Sequence, residues 1–590
     1  MLQEKDYIIR GRKGYKTVVE MVENSCKQYS DKVIMQKKFD EKHYTKFTYA
    51  EFWDDVVNIS KGLRLMFLLP KERVGIYSEN RPEWGEAYVA ISRAGGIIVP
   101  LDAQLGPAEL EYILNHSSSK FVFTSKKYLP NLLEVFKSVK SLKRIICFDC
   151  VTKDKNVVLL KDMIAKGKKR KKVILPKVKP NDVLEILYTS GTTGVSKGVM
   201  LTNTNIVHDF EASSQILPVG PTDVMLSILP IHHSFECTAG FLLPIYNGST
   251  ITYAESLRST NILANIKETG VTLMLGVPLL YEKLYAGILK AVKEKPFFVK
   301  MLFYSSKGVV KAVRKLSNKK IGKKVFAGLR EKAGLNTIRF FVSGGGPLHP
   351  LVAEGFDDLG ITILQGYGLT ETSPVVSVST LQYMDYYSVG LPIPGVEVKI
   401  DNPDENGNGE ILVKGPIVMK GYYKNKKATK EVIKNGWLYT GDIGYRDKKI
   451  GFIYITGRKK NLIVTTGGKN VFPEELEKKL NASPFILESM VYGIPVSEKN
   501  RGENVAALIV PDYEVIYEHG RQTGQKFDTE DKIEALIYKE VKKVNSRIPD
   551  YKKIRDFKIH PEELQKTSTR KIKRYLYLEK LIHVNGKRKK

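Results

Sequence analysis

Cysteine is scarce in this sequence, with four among 590 residues. That excludes a fold stapled by disulfides, because such scaffolds are short and dense in cysteine. Cys147 and Cys150 form a lone C-x-x-C after the apolar Ile145-Ile146. With no second pair nearby they read as a structural, reduced pair, which implies a cytoplasmic type of compartment. Long apolar runs are missing as well. No stretch approaches the roughly 20 residues of a spanning helix, and Gly240 to Tyr246 is far too short. The opening Met1-Leu2-Gln3-Glu4-Lys5-Asp6 carries no apolar segment of a secretory signal. A soluble or peripheral protein is expected. Acidic residues are few beside basic ones, 64 against 94, leaving a formal net charge of +30. Nucleic acid, anionic membrane and anionic substrates are the partners such a charge admits. No nucleic-acid-binding motif accompanies it, so nucleic acid is not expected.

What is present is centred on Tyr188-Thr189-Ser190-Gly191-Thr192-Thr193-Gly194-Val195-Ser196-Lys197-Gly198-Val199-Met200. A strand-like run from Val183 enters it, and a helix-like segment opening near Thr202 or Asn203 leaves it. Glycines let backbone N–H groups approach phosphate oxygens, hydroxyls add donors and Mg²⁺ ligands, and Lys197 adds a point charge. A Walker A loop would need glycine at 196 and Ser or Thr at 198; Ser196 and Gly198 stand there instead.

The remainder reads as α/β. Thr48 and Glu51 are spaced as a capping box. Val74 to Tyr77 and Ile97 to Leu101 read as short strands, and the polar turn Ser78 to Trp84 opens a helix. His232 and His233 follow Leu229-Pro230-Ile231; on a strand they would point to opposite faces and chelate poorly. From Lys295 to Arg330 there is no acidic residue, and Phe298, Met301, Leu302, Ser305, Val309, Val313 and Leu316 recur at helical spacing among Lys300, Lys307, Lys311, Arg314 and Lys315. Such a segment is either a membrane-surface helix, its basic residues facing lipid, or a surface helix packing its apolar stripe on the core. Arg339 to Ser343 reads as a strand into Gly344-Gly345-Gly346-Pro347, where a flat ligand can lie against bare backbone. Ile361 to Gln365 reads as another, ending in Gly366-Tyr367-Gly368-Leu369-Thr370-Glu371-Thr372. Tyr367 can stack on a base and Glu371 is a carboxylate suited to Mg²⁺. Beyond about 390, short runs such as Val396 to Ile400 suggest a small β-rich subdomain, followed by Asp442 at a turn and by Ile455-Thr456-Gly457-Arg458-Lys459-Lys460. A Lys/Glu-rich α/β remainder carries Thr465-Thr466-Gly467-Gly468 and, near its end, Gln565-Lys566-Thr567-Ser568-Thr569-Arg570-Lys571-Ile572-Lys573-Arg574.

In this order, from about residue 20 to 575, these stretches resemble the acyl-adenylate-forming (AMP-binding) superfamily, and within it a bacterial long-chain fatty acid–CoA ligase. The resemblance implies an α/β fold: an N-terminal adenylation domain over 1–456, made of α/β subdomains and a small β-rich one, and a small mobile α+β C-terminal domain over 457–590 with a hinge near Lys460 and a basic tail. It implies ATP-dependent activation of a fatty acid as acyl-AMP, then transfer to CoA, with ATP, Mg²⁺ and CoA as cofactors. Loading of an acyl carrier protein, or adenylation of another carboxylic acid, is the alternative. Thr189, Ser190, Gly191, Thr192, Thr193, Gly194 and Lys197 would hold phosphates, and Thr192 and Glu371 the metal. Gly345, Gly346 and Pro347 would form the adenine wall beside Tyr367, Gly368 and Thr370. Asp442 and Arg458 would reach the ribose, His233 would lie near the carboxylate entry, and Gly467 would line the CoA tunnel. Lys571 takes the place of the essential lysine, although Gln565 and Arg570 replace a proline and a glycine of the pattern, and Lys573 competes for the role. The expected location is cytoplasmic, with peripheral association at the inner face of an anionic membrane.

Overall fold

Helix starts follow the capping chemistry written in the sequence. Thr48 and Glu51 exchange reciprocal hydrogen bonds at the head of the helix Tyr49–Leu65, as a capping box should. Pro82 opens Pro82–Arg93, and Thr202 caps Asn203–Ile216. The computed structural model describes residues 2–40, 43–189, 196–317, 320–496, 502–566, 572–578 and 581. It divides into two units: Met1–Val398, Val413–Leu438 and Asp447–Ile453 make the first, and Lys399–Leu412, Tyr439–Arg446 and Tyr454–Lys590 the second.

Among the described residues, the first unit contains two large sheets. One has eight strands in the order Gly421–Tyr422, Lys197–Thr202, Val183–Thr189, Ile97–Leu101, Arg73–Tyr77, Ser119–Thr124, Arg144–Cys147, Val157–Leu159. From Val183–Thr189 onward its neighbours run parallel, as strand–helix alternation predicts. The other has nine strands, with Thr362–Gly368, Phe340–Ser343, Leu273–Gly276, Val224–Ser227, Thr250–Tyr253 and Val33–Lys38 forming a parallel core in that order. Apolar side chains such as Leu226, Met274, Tyr281, Phe341 and Phe356 are buried against it. The second unit has a three-stranded sheet, Ile486–Pro495, Glu503–Pro511 and Asp556–Ile559, packed with the helices Pro473–Leu480, Tyr513–Thr523 and Glu530–Asn545 around Ile509, Ile537 and Val541. Among the described residues no helix is long and apolar enough to cross a membrane.

Two expectations are corrected. Cys147 and Cys150 are joined in a disulfide, not a reduced pair; the turn after the Arg144–Cys147 strand brings their Cα atoms to 5.8 Å, within the span that such a bond needs. The second correction concerns the helix Phe297–Ser317, which buries only Phe303 and Val310. The expected apolar stripe does not pack on the core: Phe298, Met301, Leu302, Val309 and Leu316 are exposed. Two of its basic residues, Lys307 and Arg314, point inward instead. Lys307 donates to the Tyr285 hydroxyl at 2.7 Å, and Arg314 meets Glu354, Asp357 and Asp358 at 3.1, 3.4 and 2.7 Å.

Candidate active site

The glycine–hydroxyl loop joins two antiparallel strands. Val183–Thr189 pairs with Lys197–Thr202 in the register Thr189↔Lys197, so a strand stands between the loop and the helix expected to follow it directly. The helix does begin at Asn203. Ser190, Gly191, Thr192, Thr193 and Gly194 lie outside the described residues, and so does Lys571. At the flanks, the Thr189 hydroxyl lies 3.5 Å from the Lys197 carbonyl, and the Lys197 ammonium stands 5.2 Å from the Tyr422 ring centroid. Tyr422 pairs with Val199 across the Gly421–Tyr422 strand. Its hydroxyl donates to Glu371 Oε1 at 2.9 Å. Burial, then the Glu371 charge, pushes the Tyr422 phenol well above its ordinary pKa, so it remains a donor. The loop lysine and the Glu371 carboxylate thus meet on one tyrosine, which the sequence reading missed. Its signal was faint: a glycine and two aromatics after the apolar Ile417 to Met419.

Glu371 sits in the single 3-10 turn Thr370–Thr372, just past the end of the Thr362–Gly368 strand, and its carbonyl accepts from the Met419 N–H at 2.9 Å. Phe340–Ser343 runs parallel beside that strand and delivers Gly345, Gly346 and Pro347 to the same edge, all three exposed. Gly345 has φ +82, a region most side chains avoid. A Cβ on Gly344 would stand 3.0 Å from the Phe235 ring. Gly368 is more tightly constrained, since a Cβ there would lie 1.7 Å from the Pro374 carbonyl oxygen. Tyr367 is buried and Thr370 half-buried. Ligands of open parallel sheets bind off the carboxyl ends of the strands, and this edge gathers both glycine clusters there.

The histidines reach the same edge from the Val224–Ser227 strand, and the expectation for them is corrected. They occupy a turn, not a strand, and their ring centroids are 4.4 Å apart. Asn80 fixes that turn, donating to the Leu229 carbonyl at 2.6 Å and accepting from the Ile231 N–H at 2.9 Å. Asp102 joins them in a group whose ligand-type atoms lie within 4.8 Å of one another, a geometry able to hold a metal ion. His232 is buried, its Nε2 3.5 Å from Asp102 Oδ1, while His233 is half-buried. Behind the turn, burial pushes the Glu236 carboxyl up to about 8 and the Glu185 carboxyl up to about 7.

Within the second unit, Arg458 Nε lies 2.9 Å from Asp442 Oδ1. Asp442 is buried inside the strand Trp437–Arg446 and not at the expected turn; Gly441 takes φ +72 within that strand. Gly467 lies in the tight turn between Ile463–Val464 and Asn470–Val471, where the Gly468 N–H donates to the Thr465 carbonyl at 2.9 Å. A Cβ on Gly467 would meet nothing within 4 Å, so packing there does not demand glycine. On either side of Lys571 the chain is anchored. Lys566 pairs with Glu488 at 2.9 Å and bridges to Ile572, while the Lys573 N–H donates to the Gln565 carbonyl at 2.8 Å. Arg574 pairs with Glu477.

Comparison with known proteins adds four findings. A long chain acyl-CoA synthetase of Arabidopsis thaliana, described as peroxisomal, is 31% identical over 510 residues, covering 82% of this chain and 71% of its own. The long-chain-fatty-acid–CoA ligase FadD15 of Mycobacterium bovis is 29% identical over 597 residues, 95% of each chain. The solved anthranilate CoA ligase AuaEII, in complex with anthranoyl-AMP, shares the fold with a TM-score of 0.76 at 19% identity, covering 99% of this chain and 100% of its own. The AMP-binding enzyme family profile matches residues 22–423, more than half of the chain, and the chain belongs to that family.

Proposed function

We propose that this chain is an AMP-forming ligase that activates a long-chain fatty acid as acyl-AMP and passes the acyl group to CoA. The observation that carries the reading is the meeting of Lys197 and Glu371 on Tyr422, in a chain whose relatives over most of its length are named for long-chain acyl-CoA synthesis. In the first half-reaction a carboxylate attacks the α-phosphorus of ATP and pyrophosphate leaves. Two anions must be brought together, so fixed positive charge and alignment are the protein's contribution. Lys197 and the loop from Thr189 to Gly194 would hold the outer phosphates. A half-buried carboxylate already oriented by a phenol donor suits a hard divalent cation; Glu371 and Thr192 would hold Mg²⁺, which supplies charge neutralisation. Gly345, Gly346, Pro347, Tyr367, Gly368 and Thr370 would bound the adenine, and Asp442 and Arg458 would bind the ribose. His233 would stand at the carboxylate entry. Lys571 would stabilise the charge that develops between carboxylate and α-phosphate. In the second half-reaction the CoA thiolate attacks the acyl carbon and AMP leaves, with Gly467 giving the pantetheine arm room to pass. On this reading the enzyme works at a membrane face, where such fatty acids dissolve.

The test is ATP–pyrophosphate exchange with fatty acids of graded length, followed by addition of CoA or an acyl carrier protein. Exchange that rises with chain length, and AMP release that depends on CoA, are expected. AMP release with the carrier protein alone would overturn the second half of the reading, and exchange with short or aromatic acids only would overturn the substrate class.

A further inference from the structure

The helix Phe297–Ser317 is amphipathic in the reverse of the usual sense. Twenty-one residues make it about 30 Å long. Its inner face, at helical spacing, carries Phe303, Lys307, Val310 and Arg314, and the two bases are paired with Asp358 and with the Glu354–Asp357–Asp358 cluster. Its outer face carries Phe297, Phe298, Met301, Leu302, Val309 and Leu316, with exposures from 48% at Met301 to 87% at Leu316. An apolar face turned to water costs free energy unless something covers it. No acidic residue stands between Lys295 and Arg330; Lys315 is exposed on the same helix, and Lys323 and Lys324 are exposed in the segment that follows it.

We propose that this outer face is a membrane-docking surface, seated shallowly in a bilayer that carries anionic lipid. Apolar side chains would enter the acyl boundary while the exposed lysines reach the headgroups, the arrangement of an interfacial helix. Charge favours lipid over a second copy of the chain. A two-fold contact sets each patch against itself, so lysine would face lysine with no carboxylate on the segment to answer it. The proposal names the surface behind the membrane location given above, and it stands apart from the acyl-CoA reading because binding is read without turnover.

The experiment is sedimentation of the full chain with vesicles of phosphatidylcholine, alone or with phosphatidylglycerol. The parent is expected to bind the anionic vesicles and to bind neutral ones weakly. The variant F298S/L302S/V309S changes only exposed side chains and should lower partition by at least about tenfold, as three apolar groups leave the interface. Lys315→Gln should weaken binding less and flatten its salt dependence. Circular dichroism and ATP–pyrophosphate exchange on a soluble short acid confirm that the variants are folded. Equal binding by the triple variant would overturn the proposal. So would a parent dimer in analytical ultracentrifugation that the triple variant abolishes, with no vesicle binding by the parent.

Discussion

At the scale of single residues, the informative group is Tyr422, because it ties two motifs that lie far apart in the chain. Tyr422→Phe keeps the ring beside Lys197 and deletes the donor to Glu371. A hydrogen bond to a charged group is worth about 1.5–3 kcal/mol, so adenylation should slow by about tenfold or more while the KM for fatty acid changes little. Glu371→Gln should raise the Mg²⁺ concentration needed for half-maximal exchange; an unchanged Mg²⁺ curve would remove Glu371 from the metal site. Lys571→Ala should cost adenylation about 3–4 kcal/mol, by analogy with a lost oxyanion donor, and spare thioester formation from preformed acyl-AMP. If Lys573→Ala shows that loss instead, the lysine is misplaced across Arg570.

At the scale of elements, the readable features were local ones. The caps at Thr48 and Thr202 and the Pro82 helix start depend on residues within one turn, so the sequence contains the whole interaction. The strand Lys197–Thr202 was missed because its partners, Val183–Thr189 and Gly421–Tyr422, decide its existence. The histidine turn was missed because Asn80, about 150 residues earlier, holds it. In the Phe297–Ser317 helix, periodicity gave the stripe but not its direction, which is set by carboxylates 40 or more residues downstream. The site was legible as motifs, since glycine clusters and hydroxyl loops advertise close backbone approach; Tyr422 carries no such mark. Gly368 offers a test at this scale. A methyl group there would meet the Pro374 carbonyl, so Gly368→Ala should destabilise the strand end by about 3 kcal/mol and lower the thermal midpoint, whereas Gly467→Ala, in open space, should leave the midpoint unchanged.

At the scale of the whole molecule, buried carboxyls give stability a pH slope. Glu185 and Glu236 rise from an ordinary 4.5 to about 7 and about 8. The folded state therefore holds protons that the unfolded chain releases above 4.5, and stability falls wherever the folded state binds more protons. Their contribution is complete below pH 4.5 and is lost as pH rises through 7 and then 8. Thermal midpoints should decline over that window, and Glu236→Gln should flatten the upper part of the decline. An equally steep fall in that variant would assign the slope to other groups.

Inward pairing of the helix bases also changes what the net charge means to a separation chemist. Lys307, Lys311, Arg314 and Lys320 face Glu354, Asp357 and Asp358, so these cations are answered locally and the excess of +30 resides elsewhere, while phenylalanine and leucine are presented outside. A protein that its composition assigns to a cation exchanger should also be retained on a phenyl column at salt levels where most basic proteins flow through.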